Sequence, residues 1–338
     1  MNIEILKKEI FKIESTEKFN ELCMEVFYYQ AKNNKVYSEY LDLLNSLSGK
    51  GKYDINSPQL IPALPIQFFK SKKIVSSNAA PQIIFTSSAT TGMVPSKHYV
   101  IEKNLYEQSF VNGFRFFYGD PQEYTILALL PSYLEREGSS LVYMAKTLIE
   151  MSKKAYSGFY LYNHAELFDV LSLLKKGGEK TILLGVSFAL LNFIANYNIN
   201  FPNLIVIETG GMKGRGKELT RDVLHANLAK GFGVKNIHSE YGMAELLSQA
   251  YLKEDGIFNT PPWMKIMIRN LYNPFEYYIG EDISPIGGIN IIDLANINSC
   301  SFIETQDMGK VFANGSFTIE GRIKDSELRG CNMLLEPQ

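Results

Sequence analysis

Short runs of β-forming residues alternate with longer helical stretches through the middle of this chain, and this alternation constrains the fold more than any other feature. The β-rich runs are Gln82–Thr86, Thr125–Leu130, Lys180–Gly185, Asn203–Ile207 and Asn236–Ile237, and helical periodicity marks Glu102–Gly113, Ser140–Ser152, His164–Lys176, Ser187–Asn196 and Lys217–Gly231. Because parallel strands are joined by crossovers that are usually helices, the pattern predicts an α/β fold of layered sheet and helices, with a largely parallel sheet.

The two ends of the chain follow other patterns. Residues 1–48 show the apolar spacing of helices, with Cys23 on the apolar side as a core residue. After residue 255, strand-like runs are joined by Gly, Asn and Pro turns; they are Trp263–Arg269, Gly288–Ile292, Lys310–Phe312 and Ser316–Glu320. We therefore expect a helical N-terminal segment over 1–80 that packs on the main domain, an α/β core over 81–255, and a β-rich subdomain over 256–338 that ends in a cysteine-bearing tail.

Composition excludes several classes of partner. The 338 residues carry a net charge of −2, which gives no electrostatic case for binding nucleic acid or a membrane surface. There is no apolar run of the roughly 18 residues that a membrane span requires. The charged start Met1–Lys8 lacks a secretory apolar core, and three cysteines make no disulfide framework, so we expect a cytoplasmic protein.

The segment Thr86–Lys97 joins hydroxyl side chains, Gly92 and a lysine directly after the apolar run Ile83–Phe85. Hydroxyls and backbone amides donate hydrogen bonds, and lysine adds a positive charge, so this composition suits phosphate. It is not the GxxxxGK[ST] loop. A surface turn rich in Ser and Thr remains the alternative.

Three further polar clusters lie at the predicted ends of elements. Glu208–Gly216 follows the strand Leu204–Ile207, and the carboxyl ends of strands are where ligands bind in open α/β sheets. His238–Glu245 combines an aromatic-glycine step with Glu245, an oxygen ligand suited to Mg²⁺. In Glu304–Gly309, an aspartate before a turn can accept hydrogen bonds from both hydroxyls of a diol, such as that of a ribose. Arg322 can reach the same ribose. Taken singly, each cluster also fits a solvated turn.

Together these clusters resemble the motifs of the adenylate-forming enzymes, which include acyl-CoA synthetases, luciferases and peptide-synthetase adenylation domains. Thr86–Lys97 resembles their phosphate loop, Glu208–Gly211 the adenine-side loop, Glu240–Glu245 the tyrosine-glycine-x-threonine-glutamate motif, Gln306–Gly309 the ribose-binding aspartate motif, and Gly321–Asp325 the hinge motif. Within that group the chain resembles the acyl-protein synthetases, the LuxE family, nearly end to end. Leu130–Arg136, Ser139–Met144, Glu208–Arg215, His238–Tyr251 and above all Glu327–Asn332 support that likeness.

The resemblance implies the fold of that group's N-terminal domain, and it implies that 81–255 binds ATP with Mg²⁺. The residues implied to contact the triphosphate are Thr86, Ser87, Ser88, Thr90, Thr91, Gly92 and Lys97. Those implied to contact adenine or to lie near it are Gly210, Gly211, Glu240, Tyr241 and Gly242. Asp307 and Arg322 are implied to bind the ribose, and Glu245 is implied to bind Mg²⁺. The implied reaction is activation of a carboxylic acid, a fatty acid first among candidates, as an acyl adenylate.

The resemblance also implies a nucleophile for a second step. Cys331 matches the C-terminal cysteine that takes the acyl group as a thioester and passes it to a partner such as an acyl reductase or an acyl carrier protein. A buried tail cysteine without a role is the alternative; Cys300, in a polar turn, is a weaker candidate. His238 either polarises the acyl carbonyl or satisfies a turn, and His98 is expected to be exposed.

Three departures from the family pattern keep other functions open. Ala89 stands where the phosphate loop commonly has glycine, Ala244 replaces the usual threonine, and only seven residues follow Cys331, so we expect the family's separate C-terminal domain to be missing. Transfer of the acyl group to an external thiol, such as CoA or a carrier protein, is one alternative. A nucleotide-binding subunit that no longer catalyses is the other.

Overall fold

A computed structural model describes residues 2–48, 55–87, 94–130, 138–210, 219–280 and 282–323. The chain begins with the predicted helices, which are α1 (Ile3–Glu9), α2 (Thr16–Asn33) and α3 (Lys35–Ser48). The Ser15 hydroxyl caps α2 by accepting a hydrogen bond from Lys18 N at 3.2 Å. The apolar side of α2 is buried, and Cys23 lies in that core as predicted. A short strand, β1 (Leu64–Pro65), and a short helix, α4 (Phe68–Ser71), follow.

The first β-rich run forms a hairpin and does not join the parallel sheet. Strand β2 (Ile83–Thr86) pairs antiparallel with β3 (Lys97–Val100), and Thr86 lies opposite Lys97. The expectation of a core strand in a parallel sheet was therefore wrong for this run. The chain returns too soon for the crossover of about a dozen residues or more that a parallel neighbour needs. Only one face of β2 is covered, since Phe85 is buried and Ile84 is exposed.

The middle of the chain forms the predicted parallel sheet. Its strands are β4 (Thr125–Leu129), β5 (Gly158–Phe159), β6 (Thr181–Val186), β7 (Ile205–Thr209) and β8 (His238–Tyr241), and its helices are α5 (Lys103–Tyr118), α6 (Ser140–Ser152), α7 (His164–Gly177), α8 (Ser187–Asn196) and α9 (Arg221–Phe232). These strands pair in the order β5-β4-β6-β7-β8, all parallel. Every residue of β4 and β6 is buried, as expected for strands that are covered on both faces.

The remaining strands extend this sheet in the antiparallel sense. They are β9 (Ala250–Leu252), β10 (Phe258–Asn259), β11 (Met264–Arg269), β12 (Gly287–Asp293), β13 (Phe302–Val311) and β14 (Phe317–Arg322). Across the described residues, one twelve-stranded sheet runs β11-β12-β13-β14-β10-β9-β8-β7-β6-β4-β5, with β1 parallel to β13. The whole sheet is therefore mixed, because β9 turns back against β8 after a connection that holds no helix.

The N-terminal helices pack against the antiparallel part. The buried amide of Gln30, on α2, donates to the carbonyls of Asn296 and Ile297 at 3.1 and 3.0 Å and accepts from Ser301 N at 2.9 Å. None of the helices in the described ranges combines the length and the apolar character that crossing a bilayer demands.

Candidate active site

A cavity of about 570 Å³ lies where the parallel and antiparallel parts of the sheet meet. Its described lining includes residues that the sequence had singled out in separate segments, namely Thr86, Ser87, Gly210, Glu240, Tyr241, Gly242, Glu245, Asp307 and Arg322. The ligand hypothesis required these turns to converge, and the fold brings them to one cavity. Six of the predicted residues, Ser88, Thr90, Thr91, Gly92, Gly211 and Cys331, lie outside the described residues.

Two predicted catalytic residues do not line the cavity. Lys97 begins β3 with an exposed side chain. His238 lies two residues before Glu240 on the same face of β8, and it is therefore farther from the carboxyl end of the strand. Its Nδ1 is 3.1 Å from the Tyr118 hydroxyl, and the two rings stack with their centroids 5.7 Å apart. Burial lowers the pKa of His238 to about 4, so the imidazole is neutral at neutral pH.

His98 is buried rather than exposed, which corrects the expectation for this residue. Its side chain alternates with that of Lys97 along β3 and points inward, where its ring packs edge-on against Phe69 at 5.9 Å. Its Nδ1 lies 2.8 Å from the carbonyl of Ala244 and must donate, since a carbonyl only accepts. Burial lowers the pKa of His98 to about 4. A neutral His98 therefore ties the hairpin to the turn after β8.

The segment predicted as a turn around Asp307 is a bulge inside a strand. Gly288 pairs with Met308 and Asn290 with Glu304, so that Ile289 of β12 faces three residues of β13, Thr305–Asp307. A bulge of this kind re-aims side chains and leaves backbone groups without ladder partners. All three bulge residues line the cavity. The turn expected at Glu304–Gly309 was wrong because β13 runs through it.

The buried guanidinium of Arg269, on β11, satisfies the carbonyls that the bulge exposes. It donates to Ile289 O at 3.1 Å, to Thr305 O at 2.8 Å and to Asn290 Oδ1 at 2.7 Å, and it lies 3.5 Å from the Glu304 carboxylate. A Cβ on Gly288 would collide with this guanidinium, so only glycine leaves room for it. Arg269 thereby stabilises the strand geometry that places Asp307 in the cavity.

Asp307 has two partners that orient its carboxylate. Its Oδ2 accepts from the Tyr241 hydroxyl at 2.7 Å, and its Oδ1 lies 3.2 Å from Arg322 Nε, directly across the β13–β14 ladder. A carboxylate offers about four lone-pair sites, so each oxygen can accept one further hydrogen bond from a diol. The Tyr241 ring packs edge-on against Phe258 and Phe317 at 6.0 and 5.8 Å.

On the parallel side, the cavity residues follow the ends of strands. Thr209, the last residue of β7, donates to Glu240 Oε2 at 2.5 Å, and Gly210 takes a positive φ of 75° as the chain leaves the strand. Glu208 does not line the cavity. Its buried carboxylate accepts from Ser187 at 2.8 Å and from Ser239 at 2.7 Å, and His225 Nε2 lies 3.5 Å away. Burial opposes ionisation of Glu208, but these partners outweigh it and lower its pKa.

Glu245 presents a carboxylate to the cavity from the turn after β8. Its Oε1 accepts from the Ser96 hydroxyl, and Asn296 Nδ2 donates to its backbone carbonyl at 2.8 Å. Burial raises the pKa of Glu245, while Ser96, Lys70 and Arg322 act in the opposite direction. Within the described residues no cluster of three His, Cys, Asp or Glu side chains forms a metal site. A lone carboxylate fits Mg²⁺ in the mode in which phosphates and water supply its other ligands.

The cavity also contains residues outside the predicted catalytic, nucleotide-binding and metal residues. They are Ile66, Lys70, Val94, Ser96, Tyr106, Ser139, Ser140, Leu141, Met144, Thr209, Met243, Ala244, Gln249, Thr305 and Gln306. Ser139 had a local signal, since it caps α6 before an apolar run. Lys70 had none, because only the pairing of β1 with β13 brings its helix to the site. Cys300 is buried, and burial raises the pKa of its thiol to about 12, which suppresses the nucleophilic thiolate.

Solved structures share this architecture. ATP-bound MatB from Rhodopseudomonas palustris is similar over 71% of this chain and 47% of its own, with 18% identity and a TM-score of 0.50. An ATP-bound RpMatB-BxBclM chimera, B3, is similar over 73% of this chain and 49% of its own, with 17% identity and a TM-score of 0.51. The chain thus spans about half the length of each of these proteins. No protein-family model and no curated protein matches the sequence. The likeness shows the fold, and the predicted α/β fold class is confirmed.

Proposed function

We propose that this protein uses ATP to activate a carboxylic acid as an acyl adenylate. The observation that carries the proposal is the convergence of Thr86, Gly210, Tyr241, Glu245 and Asp307 on one cavity. These residues belong to the segments that resemble the phosphate, adenine, metal and ribose motifs, and a single nucleotide bound in the cavity would contact all of these segments. The ATP in the two similar structures agrees with a nucleotide as the ligand.

The reaction needs positioning and charge stabilisation more than proton transfer. One oxygen of the substrate carboxylate attacks the α-phosphorus of ATP, the bond from that phosphorus to the bridging oxygen breaks, and pyrophosphate leaves with the electron pair. The protein holds the two reactants in line and disperses charge on the phosphates. Asp307 and Arg322 would bind the ribose, and the hydroxyls of Thr86 and Ser87 would donate to phosphate oxygens. His238 does not line the cavity, so we assign it no part in this step.

Glu245 would hold Mg²⁺, which neutralises phosphate charge when it is bound. The Ser96 hydroxyl keeps one carboxylate oxygen engaged and leaves the other for a ligand. The buried position of Glu245 restricts water around it, which strengthens its interaction with a cation.

The acid would lie against the apolar part of the lining. Tyr106, Leu141, Met144 and Met243 form that part, and they suit an aliphatic acyl chain better than a polar one. A fatty acid is therefore our first candidate. Ser139 and Ser140 place the N-terminus of α6 at the same wall, where its positive end favours a carboxylate.

We further propose that the acyl group passes to Cys331 as a thioester and then to a partner protein, an acyl reductase or an acyl carrier. The Cys331 thiolate would attack the acyl carbonyl carbon, the bond to the phosphate oxygen would break, and AMP would leave. The support is the likeness of Glu327–Asn332 to the acyl-protein synthetases. A thiolate is the reactive form, and neighbouring cations increase its share.

Two measurements test these steps separately. Carboxylate-dependent exchange of pyrophosphate into ATP, over acids of increasing chain length, reports adenylation; absence of exchange with every acid would refute the proposal and favour a non-catalytic nucleotide-binding subunit. Intact mass after incubation with ATP, Mg²⁺ and the best acid reports acylation, and peptide mapping locates it. We expect the adduct to vanish in Cys331→Ser and to persist in Cys300→Ala. Loss of the adduct with continued acyl transfer to CoA would instead identify an external thiol as the acceptor.

A further inference from the structure

The cavity contains a lysine from a part of the chain that no motif pointed to. Lys70 lies on α4, in the N-terminal segment, and lines the cavity together with Ile66. Lys97, the lysine of the phosphate-loop motif, does not line it. Lys70 therefore stands at the site where the motif had led us to expect Lys97.

The position of Lys70 is held by contacts on both sides of its short helix. Ile66 N donates to the carbonyl of Glu304, on the strand that carries Asp307, at 2.9 Å. Lys70 N donates to Gln67 O at 3.0 Å. Phe69 is fully buried and packs against His98, whose imidazole is bonded to the turn before Glu245. The backbone of Lys70 is thus tied to the two segments that carry the ribose and metal residues.

The charges around the cavity leave Lys70 available for an anion. Three carboxylates, those of Glu240, Glu245 and Asp307, and two cations, Lys70 and Arg322, belong to the described lining. Arg322 is paired with Asp307, whereas Lys70 forms no ion pair with any residue in the described ranges. Phe69, the neighbour of Lys70, packs against His98, which is bonded to Ala244, so this short helix lies beside the turn that carries Glu245. ATP adds several negative charges to a lining that already has an excess of carboxylates.

We propose that Lys70 is a catalytic residue that binds the phosphates of ATP at the Glu245 end of the cavity. This role rests on the proposed function. Its ammonium contacts the outer phosphates, which leave as pyrophosphate, and it stabilises the charge that moves onto the bridging oxygen as the bond to the α-phosphorus breaks. The ammonium keeps its protons throughout, so adenylation remains balanced without an added acid or base.

The test compares Lys70→Ala and Lys70→Arg with two matched lysines, Lys72 and Lys97, each replaced by alanine. All three lysines are exposed, and only Lys70 lines the cavity. In Lys70→Ala we expect exchange of pyrophosphate into ATP to fall about a hundredfold, as when one transition-state donor is removed. Calorimetric affinity for MgATP should fall about tenfold while affinity for AMP is kept, because a charge-assisted contact to the outer phosphates is lost. Lys70→Arg should recover part of both effects.

Lys72→Ala and Lys97→Ala should stay within about twofold of wild type, because an exposed charge outside the site contributes little. Wild-type-like exchange and ATP affinity in Lys70→Ala, or a larger loss in Lys97→Ala, would overturn the role of Lys70. If wild type shows no exchange with any acid yet Lys70→Ala still loses ATP affinity selectively over AMP, adenylation fails as the function while Lys70 stands as a phosphate ligand. Failure of wild type to bind MgATP would overturn both.

Discussion

The two sides of the cavity are built differently. On the parallel side, Gly210 and Tyr241 lie at or just after the carboxyl ends of β7 and β8, where the strands stop. On the antiparallel side, Asp307 lies inside β13, at a bulge where one residue of β12 faces three. The parallel side therefore provides ligand positions through topology alone, whereas the antiparallel side requires a local break in its ladder.

Each side of the cavity is stabilised by one buried charged side chain, which is an anion on the parallel side and a cation on the antiparallel side. Glu208 precedes the cavity residues of β7 and accepts hydrogen bonds from the side chains of Ser187 and Ser239. Arg269 lies beside the bulge and donates mainly to backbone carbonyls. An intact ladder needs no outside donors for its backbone, while a bulged one does. We therefore expect the antiparallel side to depend more heavily on its buried charge.

The largest expected effect is the loss of Arg269. Arg269→Met should lower the free energy of unfolding by about 3–5 kcal/mol, because it leaves Thr305 O and Asn290 Oδ1 without this buried donor and leaves half-buried Glu304 without its cation. Chemical denaturation at neutral pH measures this. Arg115→Met is the control: Arg115 pairs with Asp120 at 3.2 Å on the surface, and its loss should cost less than about 1 kcal/mol. Equal losses in the two variants would show that the bulge does not need its guanidinium.

Asp307→Asn should affect activity more than stability. The neutral amide keeps the size of the side chain and loses the charge that a ribose diol and Arg322 both engage, so exchange of pyrophosphate into ATP should fall about a hundredfold. Asp282→Asn, an exposed aspartate in the same part of the chain, serves as the control. Wild-type exchange of pyrophosphate into ATP in Asp307→Asn would show that Asp307 does not contribute to nucleotide binding.

Glu208→Gln tests the parallel side through pH. At neutral pH we expect a loss of about 2 kcal/mol, since hydrogen bonds to a charged acceptor are weakened. The pKa of Glu208 is lowered in the folded state, so its contribution is present above the unfolded value of about 4.5 and is lost as pH falls through the folded value. The free energies of unfolding of wild type and Glu208→Gln should therefore converge at pH values below the pKa of Glu208 in the folded state.

The exposed variant Glu254→Gln should differ little from wild type at every pH. A difference between Glu208→Gln and wild type that stays constant into the acid range would mean that Glu208 contributes no ionised acceptor.

The smallest effect concerns the glycine beside Arg269. Gly288→Ala should cost about 1–3 kcal/mol, because its methyl group displaces a packed guanidinium. Gly113→Ala is the matched control: nothing lies within 4 Å of a Cβ at Gly113, and alanine in the interior of α5 should raise stability by up to about 1 kcal/mol. Thermal unfolding of both variants measures the contrast; a stabilised Gly288→Ala would place Arg269 elsewhere.

Local patterns predicted the elements that carry strong local signals. Helices α6 and α8 have the predicted bounds, Ser140–Ser152 and Ser187–Asn196, because apolar spacing acts within a few residues, and at α6 the Ser139 cap adds a second local signal. The Thr305–Asp307 bulge was missed, because a turn and a bulge use the same short polar residues and only the partner strand distinguishes them. His98 was misjudged because its neighbour Lys97 is charged, although alternation along a strand places the two on opposite faces.

The sequence by itself determined the alternation of elements, the placement of polar segments at the ends of β2 and β7, and the chemistry that the polar segments suit. These follow from interactions between near neighbours, which the order of residues records directly. Only the tertiary structure decided that β2 pairs with β3, that His238 lies away from the cavity and that Lys70 lies in it. Those outcomes depend on contacts between distant segments, such as β1 with β13, whose free energy comes from packing and backbone pairing that no local pattern encodes.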